Sequence, residues 1–126
     1  MSFVIDADVL IGILRDVPGA HGAVAKARLR SPRLLSITPV RVEILRGMRP
    51  GEEQVTAGLL DQIDWLTVDI DLADRAGALG RTYRQSHQGI DPIDLLLAAA
   101  VERYGAELLT RNVHHFPMIP GLRPAF

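Results

Sequence analysis

One segment of the chain, Gly89–Gly105, contains a complete helix with its start, its body and its end. Asp91 stands where an N-cap residue belongs, Pro92 follows at the first helical position, and Gly105 ends the helix. Residues 95–101 are apolar on every side, which predicts that this helix packs against a sheet and other helices rather than lying on the surface. Any fold for this chain has to enclose it.

The first turn of this helix carries two carboxylates, although its body is apolar. Asp91 is explained as an ordinary cap, and acids in a first turn complement the helix macrodipole by about 0.3–1 kcal/mol. Asp94 is not needed as a cap, because Asp91 already supplies one. An acid beside a buried helix face needs another partner, so Asp94 is a candidate functional residue.

The rest of the chain alternates predicted strands with predicted helices. From β-branched and aliphatic runs, the predicted strands are residues 3–5, 34–37, 65–68 and 107–110. From helical spacing, the other predicted helices are 8–14, 20–30, one opened by Thr38 and Pro39, 52–63, and one capped by Asp71 that runs to Tyr83. This order predicts an α/β fold with a central, mostly parallel sheet flanked by helices on both faces.

The composition of the chain indicates its cellular compartment and excludes some kinds of binding and catalytic site. The 126 residues suit a single domain, 1–126, and the absence of cysteine excludes disulfides, thiolate metal sites and a cysteine nucleophile. No leader and no apolar run of membrane-spanning length is present, so we expect a cytoplasmic protein with no membrane partner. The net charge of −1 does not decide whether the chain binds nucleic acid, because charge distribution matters more than its sum. One third of the chain holds Arg28, Arg30, Arg33, Arg41, Arg46 and Arg49.

Further acids follow the predicted strands. Asp6 ends the first strand at the carboxyl edge of the sheet, where open α/β folds bind their ligands. Asp6 is also explained as the cap of the next helix, and Asp8 as a first-turn acid. Glu43 lies in the second turn of the helix after the second strand and can reach back to the same edge, since helical side chains lean toward the N-terminus. A surface pair with Arg46 explains Glu43 equally well.

The predicted parallel topology brings these acids together. The helix that carries Asp94 runs antiparallel to the strand that it feeds, so its first turn returns to the carboxyl edge, and Asn112 follows the last strand. Separate capping roles explain each acid but not the convergence of Asp6, Glu43 and Asp94. Crowded carboxylates repel unless a hard cation joins them, and oxygen ligands favour Mg²⁺, with Mn²⁺ able to substitute. Such an ion serves phosphate chemistry.

Four short segments carry a family resemblance. They are Val4–Ile11, Thr38–Ile44, Asp94–Ala100, and Leu109–Phe116 with Ile119–Leu122 after it. In this order the segments resemble the PIN-domain ribonucleases, and within them the VapC-type toxins of bacterial toxin–antitoxin pairs. The resemblance extends over nearly the whole chain. The resemblance implies a PIN-like fold, Mg²⁺-dependent endonucleolytic cleavage of RNA, a homodimer, and inhibition by a cognate VapB-type antitoxin.

The resemblance also implies roles for particular residues. Asp6, Glu43 and Asp94 fall on the acidic metal-site positions of the family, and Asp6 and Asp94 are expected to be direct ligands. The sequence departs from the family once, because the closing motif has Asn112 and His115 where a last acid is usual. Asn112 is expected to orient a water molecule or to bind the cation weakly, and His115 is expected to have a structural role.

Two other classes of protein remain open at this point. A phosphoacceptor receiver domain has the same fold class and length, but it needs a lysine at the end of its last strand, and the only lysine here is Lys26. A non-catalytic RNA-binding or interaction module is supported only by the missing fourth acid. If the chain binds RNA, the arginines between positions 28 and 49 are predicted to hold the phosphate backbone, with Arg46 the foremost.

Overall fold

The computed structural model describes residues 1–126 and alternates strands with helices, as predicted. The strands are β1 (Phe3–Ile5), β2 (Leu34–Ile37), β3 (Asp64–Leu66) and β4 (Glu107–Leu109). The helices are α1 (Ala7–Leu14), α2 (Ala20–Arg30), α3 (Thr38–Arg46), α4 (Glu53–Leu60), α5 (Ile70–Tyr83) and α6 (Pro92–Tyr104), followed by a 3₁₀ helix (Val113–His115). None of these helices combines the length and the apolar character needed to cross a membrane.

The four strands form one sheet in the order β3-β2-β1-β4, and every pairing is parallel. Val4 in β1 is aligned with Leu35 of β2 on one side and with Leu108 of β4 on the other. The chain moves outward from β1 through β2 to β3 and then returns to β4 beyond β1. Right-handed crossovers therefore place α1 to α4 on one face and α5 and α6 on the other. The predicted fold class is confirmed, and the sheet is parallel throughout.

Helix α6 occupies the position that its sequence predicts. Residues 97–100 are buried, and the helix packs against β1, β2, β4 and α5. At its start the side chain of Asp91 accepts the Asp94 N–H at 2.9 Å. At its end Gly105 adopts a φ of 57°, a left-handed conformation that glycine tolerates without strain. The first turn of α6 is therefore fixed at the carboxyl edge of the sheet.

The predicted cap of α5 is wrong. The N-cap is Asp69, whose side chain accepts the N–H of Leu72 at 2.8 Å, and Asp71 lies inside the first turn. Two acids stand two residues apart, and either one fits the sequence pattern of a helix start. Asp69 is also held from outside the helix, because its carboxylate pairs with Arg103 at 3.0 Å.

Other bounds differ from the predicted ones by a few residues. Thr38 is the first residue of α3 rather than its cap, which is Ile37 and offers no side-chain acceptor. Helix α4 is shorter than the predicted 52–63, because its end tightens into i→i+3 hydrogen bonds as the chain turns toward the sheet. Strand β3 consequently begins at Asp64 and ends at Leu66, two residues before the predicted end.

Candidate metal centre

Asp6 lies at the junction of β1 and α1, and only 6% of the residue is exposed. Its backbone N–H donates to the carbonyl of Leu109 at 2.9 Å. Its Oδ1 accepts the N–H of Ala7 at 2.7 Å, and its Oδ2 accepts the hydroxyl of Thr110 at 2.8 Å. Asp6 is therefore both the cap of α1 and a carboxylate fixed at the edge of the sheet, so its two predicted roles coexist.

Asp94 reaches the same edge from α6, with 7% of the residue exposed. Its Oδ2 is buried and has no hydrogen-bond partner. His115 Nδ1 is 3.1 Å from this oxygen, which is near enough for an ion pair. A buried carboxylate oxygen without a partner is costly and calls for an explanation, such as a bound ion.

Asp8 also takes part in the site, although its sequence position indicates only a first-turn acid. Its Oδ2 accepts the N–H of Arg111 at 2.9 Å, and its Oδ1 is buried without a partner. Asp8 therefore ties the start of α1 to the loop that follows β4. The sequence signals this role only through the spacing of Asp6 and Asp8, which an ordinary helix start shares.

Glu43 approaches the edge from α3 and is half-buried. It borders a cleft of about 370 Å³ together with Thr38, Pro39, Val42, Arg46 and Ile93. The negative charges of Asp91 and Asp94 act on its carboxyl group, and Arg46 partly offsets them. The structure thus places Glu43 within electrostatic reach of the acids on α6, as predicted from its position in α3.

Asn112 and His115 follow β4, where the sequence offers no fourth acid. The Asn112 side chain is exposed and makes no hydrogen bond, whereas its backbone N–H donates to the Thr110 hydroxyl at 3.1 Å and its carbonyl accepts the His115 N–H at 3.0 Å. His115 is the residue that reaches Asp94. The catalytic role of Asn112 stays a prediction. His115 belongs to the site because its side chain lies beside Asp94.

Four carboxyl groups at this edge have a raised pKa, and burial is the main cause in each: Asp6, Asp8, Glu43 and Asp94. Burial, reinforced by the charge of Asp8, raises the pKa of Asp6 from 3.8 to about 7. Burial and the neighbouring Asp91 raise the pKa of Asp94, while burial, Asp91 and Asp94 raise the pKa of Glu43. The pKa of Asp8 is raised by burial as well. A cation placed among these groups would offset this cost.

The donor set fits a hard divalent cation. All the acids offer carboxylate oxygens, and both Asp8 and Asp94 keep one buried oxygen without a partner. No three Asp, Glu or His side chains are close enough to enclose an ion by themselves. This arrangement suits Mg²⁺, which usually binds through one or two carboxylates and keeps several of its waters.

A cavity of about 680 Å³ lies elsewhere, between α2, β4 and the C-terminal residues. Its acid, Glu107, is paired with Arg30 at 3.0 Å, so no carboxylate is left free there. Lys26 lines this cavity instead of joining Asp6, so the lysine that a receiver domain requires is absent from the acidic edge. The candidate site is therefore identified by its buried carboxylate oxygens without hydrogen-bond partners, and not by the volume of a cavity.

Comparisons with known proteins agree on one family. The PIN domain model matches residues 3–119. The chain is 37% identical over 122 residues to the ribonuclease VapC19 of Mycobacterium tuberculosis, a match that covers 97% of this chain and 98% of the relative. It is also 37% identical over 122 residues to VapC10 of the same organism, covering 97% and 91%. A toxin–antitoxin complex from Klebsiella pneumoniae has the same fold, with a TM-score of 0.82, 22% identity, and 98% and 97% of the two chains covered.

Proposed function

Because this chain belongs to the PIN-domain family, we propose that it is a VapC-type ribonuclease, a metal-dependent endonuclease that hydrolyses phosphodiester bonds in RNA. The observation that carries the proposal is the buried, unpartnered Oδ2 of Asp94 at the edge where Asp6 ends β1. The names of both relatives support RNA as the substrate, since each is called a ribonuclease.

We further propose that the chain is the toxin of a type II toxin–antitoxin pair. On this proposal a VapB-type antitoxin binds it and holds it inactive, and the active form is a homodimer. The support is the name shared by the two relatives, together with the fold that the chain shares with a toxin–antitoxin complex. We place the protein in the cytoplasm, where its RNA substrate is found.

We propose a separate role in RNA hydrolysis for each acid of the site. Asp6 and Asp94 would hold the cation, which when bound stabilises negative charge at the phosphate and makes a water molecule more acidic. The hydrogen bonds from Ala7 and Thr110 fix the orientation of the Asp6 carboxylate. Glu43, with its raised pKa and open cleft, is suited to accept the proton of the water that attacks phosphorus as the P–O bond breaks.

We expect the purified chain to cut RNA internally only when a divalent cation is present. The test is incubation of end-labelled RNA with Mg²⁺, with Mn²⁺ and with EDTA, followed by separation of the fragments by size. Internal cuts with either ion and none in EDTA support the proposal. RNA that is bound but left intact under every condition would instead indicate the non-catalytic module.

The arginines between positions 28 and 49 do not form one RNA-binding surface, and that prediction is corrected by their partners. Arg30 pairs with Glu107 at 3.0 Å and Arg33 with Asp64 at 3.2 Å. Those two acids begin β4 and β3, so both pairs lie at the amino edge of the sheet, opposite the candidate site. Arg46 is different, because it is exposed and borders the cleft of the site.

Arg46→Ala is therefore expected to weaken RNA binding by removing one phosphate contact. The slope of log affinity against log salt concentration should fall in magnitude by about 1, since each neutralised phosphate releases counterions. Fluorescence anisotropy with a labelled single-stranded RNA of mixed sequence, in EDTA to prevent cleavage, measures this slope. Arg33→Ala is the matched control and should leave the slope unchanged. Equal losses in the two variants would show that Arg46 holds no phosphate of its own.

A further inference from the structure

We propose that the imidazole of His115 is a direct ligand of the metal ion beside Asp94, and that the site therefore prefers Mn²⁺ to Mg²⁺. This inference rests on the proposed function, because it refines the metal centre of the ribonuclease. It also assigns a chemical role to the residue that stands after β4 where the chain lacks an acid.

The first observation is the separation of the two side chains. His115 Nδ1 and Asp94 Oδ2 are 3.1 Å apart, which is the separation of an ion pair. Neighbouring ligands of an octahedral ion lie about 3.0 Å from each other when each is about 2.1 Å from the metal. The distance therefore fits two donors that share one cation.

The second observation is the accessibility of the pair. The Asp94 side chain is only 10% exposed, and the side chain of His115 is 35% exposed. Asp94 thus forms the floor of the site, while His115 stands at its open side. An ion held between them keeps coordination positions for water and for the phosphate of a substrate.

The third observation is that the His115 ring is held in place. His115 ends the 3₁₀ helix, and its N–H donates to the carbonyl of Asn112 at 3.0 Å. The next residue, Phe116, is 1% exposed and anchors this segment in the core. The ring also contacts the His114 ring edge to face, with centroids 4.3 Å apart. The backbone hydrogen bond and the anchor at Phe116 set the direction of Nδ1 toward Asp94.

A nitrogen ligand changes which ion the site prefers. Mg²⁺ strongly prefers oxygen donors, whereas first-row transition metals accept an imidazole nitrogen together with carboxylates. Mn²⁺ also tolerates the oxygen-rich surroundings supplied by Asp6 and Asp94. A neutral imidazole, moreover, adds a ligand without adding another negative charge to carboxyl groups whose mutual repulsion already opposes ionisation.

The test is to load the full chain with Mn²⁺ and record electron spin echo envelope modulation, which detects a ¹⁴N nucleus coordinated to the ion. We expect ¹⁴N modulation from the wild type, its loss in His115→Gln, and its retention in His114→Gln. His114 is the matched control, since it is the adjacent histidine and is exposed. Isothermal titration should show Mn²⁺ binding weakened by about 10–100-fold in His115→Gln. His115→Asp should bring the Mg²⁺ and Mn²⁺ affinities closer together.

The contrary outcomes separate this inference from the proposed function. Bound Mn²⁺ without ¹⁴N modulation, in a protein that cuts RNA, would overturn the role of His115 and leave the ribonuclease in place. Modulation that survives His115→Gln and disappears in His114→Gln would overturn it by assigning the nitrogen to His114. Failure of the wild type to bind either ion would overturn both proposals.

Discussion

Asp94→Asn is expected to lower the rate of RNA cleavage by at least about 100-fold, because the charge stabilisation lost with the cation amounts to several kcal/mol and each 1.36 kcal/mol is a factor of ten. Asparagine has nearly the same shape, but it carries no charge and offers one oxygen instead of two. The charge of Asp94 acts on both Asp6 and Glu43, as does the charge of Asp8. The replacement of Asp94 should therefore remove the group on which the centre depends.

The matched control is Asp71→Asn, which changes another first-turn acid, on α5 and away from the site. Its cleavage rate should equal that of the wild type. Thermal unfolding in EDTA provides the second control, because the contact with His115 is the one close polar contact of Asp94 Oδ2. The lost macrodipole interaction costs about 0.3–1 kcal/mol, and release from burial and repulsion should offset it. A folded Asp94→Asn protein that cuts RNA at the wild-type rate would remove Asp94 from the site.

The sequence predicts well those features that depend on neighbouring residues. The cap at Asp91, the end at Gly105 and the buried body of α6 are local properties of one segment, and the structure reproduces all three. The parallel sheet follows from the alternation of elements, and it brings Asp6 to the same edge as the first turn of α6. A short list of general rules about parallel sheets and helix starts is therefore enough to locate the candidate site.

The features that the sequence does not predict depend on contacts between distant segments. Asp8 binds the Arg111 N–H across 103 positions of the chain, and no spacing within α1 distinguishes this acid from an ordinary first-turn residue. His115 belongs to the site because the 3₁₀ helix turns its ring toward Asp94. The arginines cluster in sequence, but the strands carry Arg33 to the opposite edge of the sheet from the acids. Tertiary structure alone decides these cases.

The metal-free protein is expected to lose stability as the pH rises from about 4 to 7. The pKa of Asp6 is 3.8 in the unfolded chain and about 7 in the fold, so in this range the folded state holds a proton that the unfolded state has released. This stabilisation is fully present below pH 3.8 and is gone above about pH 7, and it amounts to roughly 4 kcal/mol. The raised pKa values of Asp8 and Glu43 act in the same direction.

Urea unfolding in EDTA at a series of pH values from about 4.5 to 8, a range that brackets the pKa of Asp6 in the fold, measures the effect, and Asp6→Asn isolates the contribution of Asp6. At low pH the protonated Asp6 carboxyl and the asparagine amide both offer an acceptor to the Ala7 N–H and a donor to the Thr110 hydroxyl, so the two proteins should have similar free energies of unfolding there. The free energy of unfolding of the variant should fall less steeply with pH than that of the wild type. Mn²⁺ added at the alkaline end should stabilise the wild type and have little effect on Asp6→Asn, since an ion that binds only the folded state adds to its stability. Parallel curves for the two proteins would show that Asp6 does not retain its proton in the fold, and the electrostatic case for a cation at this edge would lose its largest component.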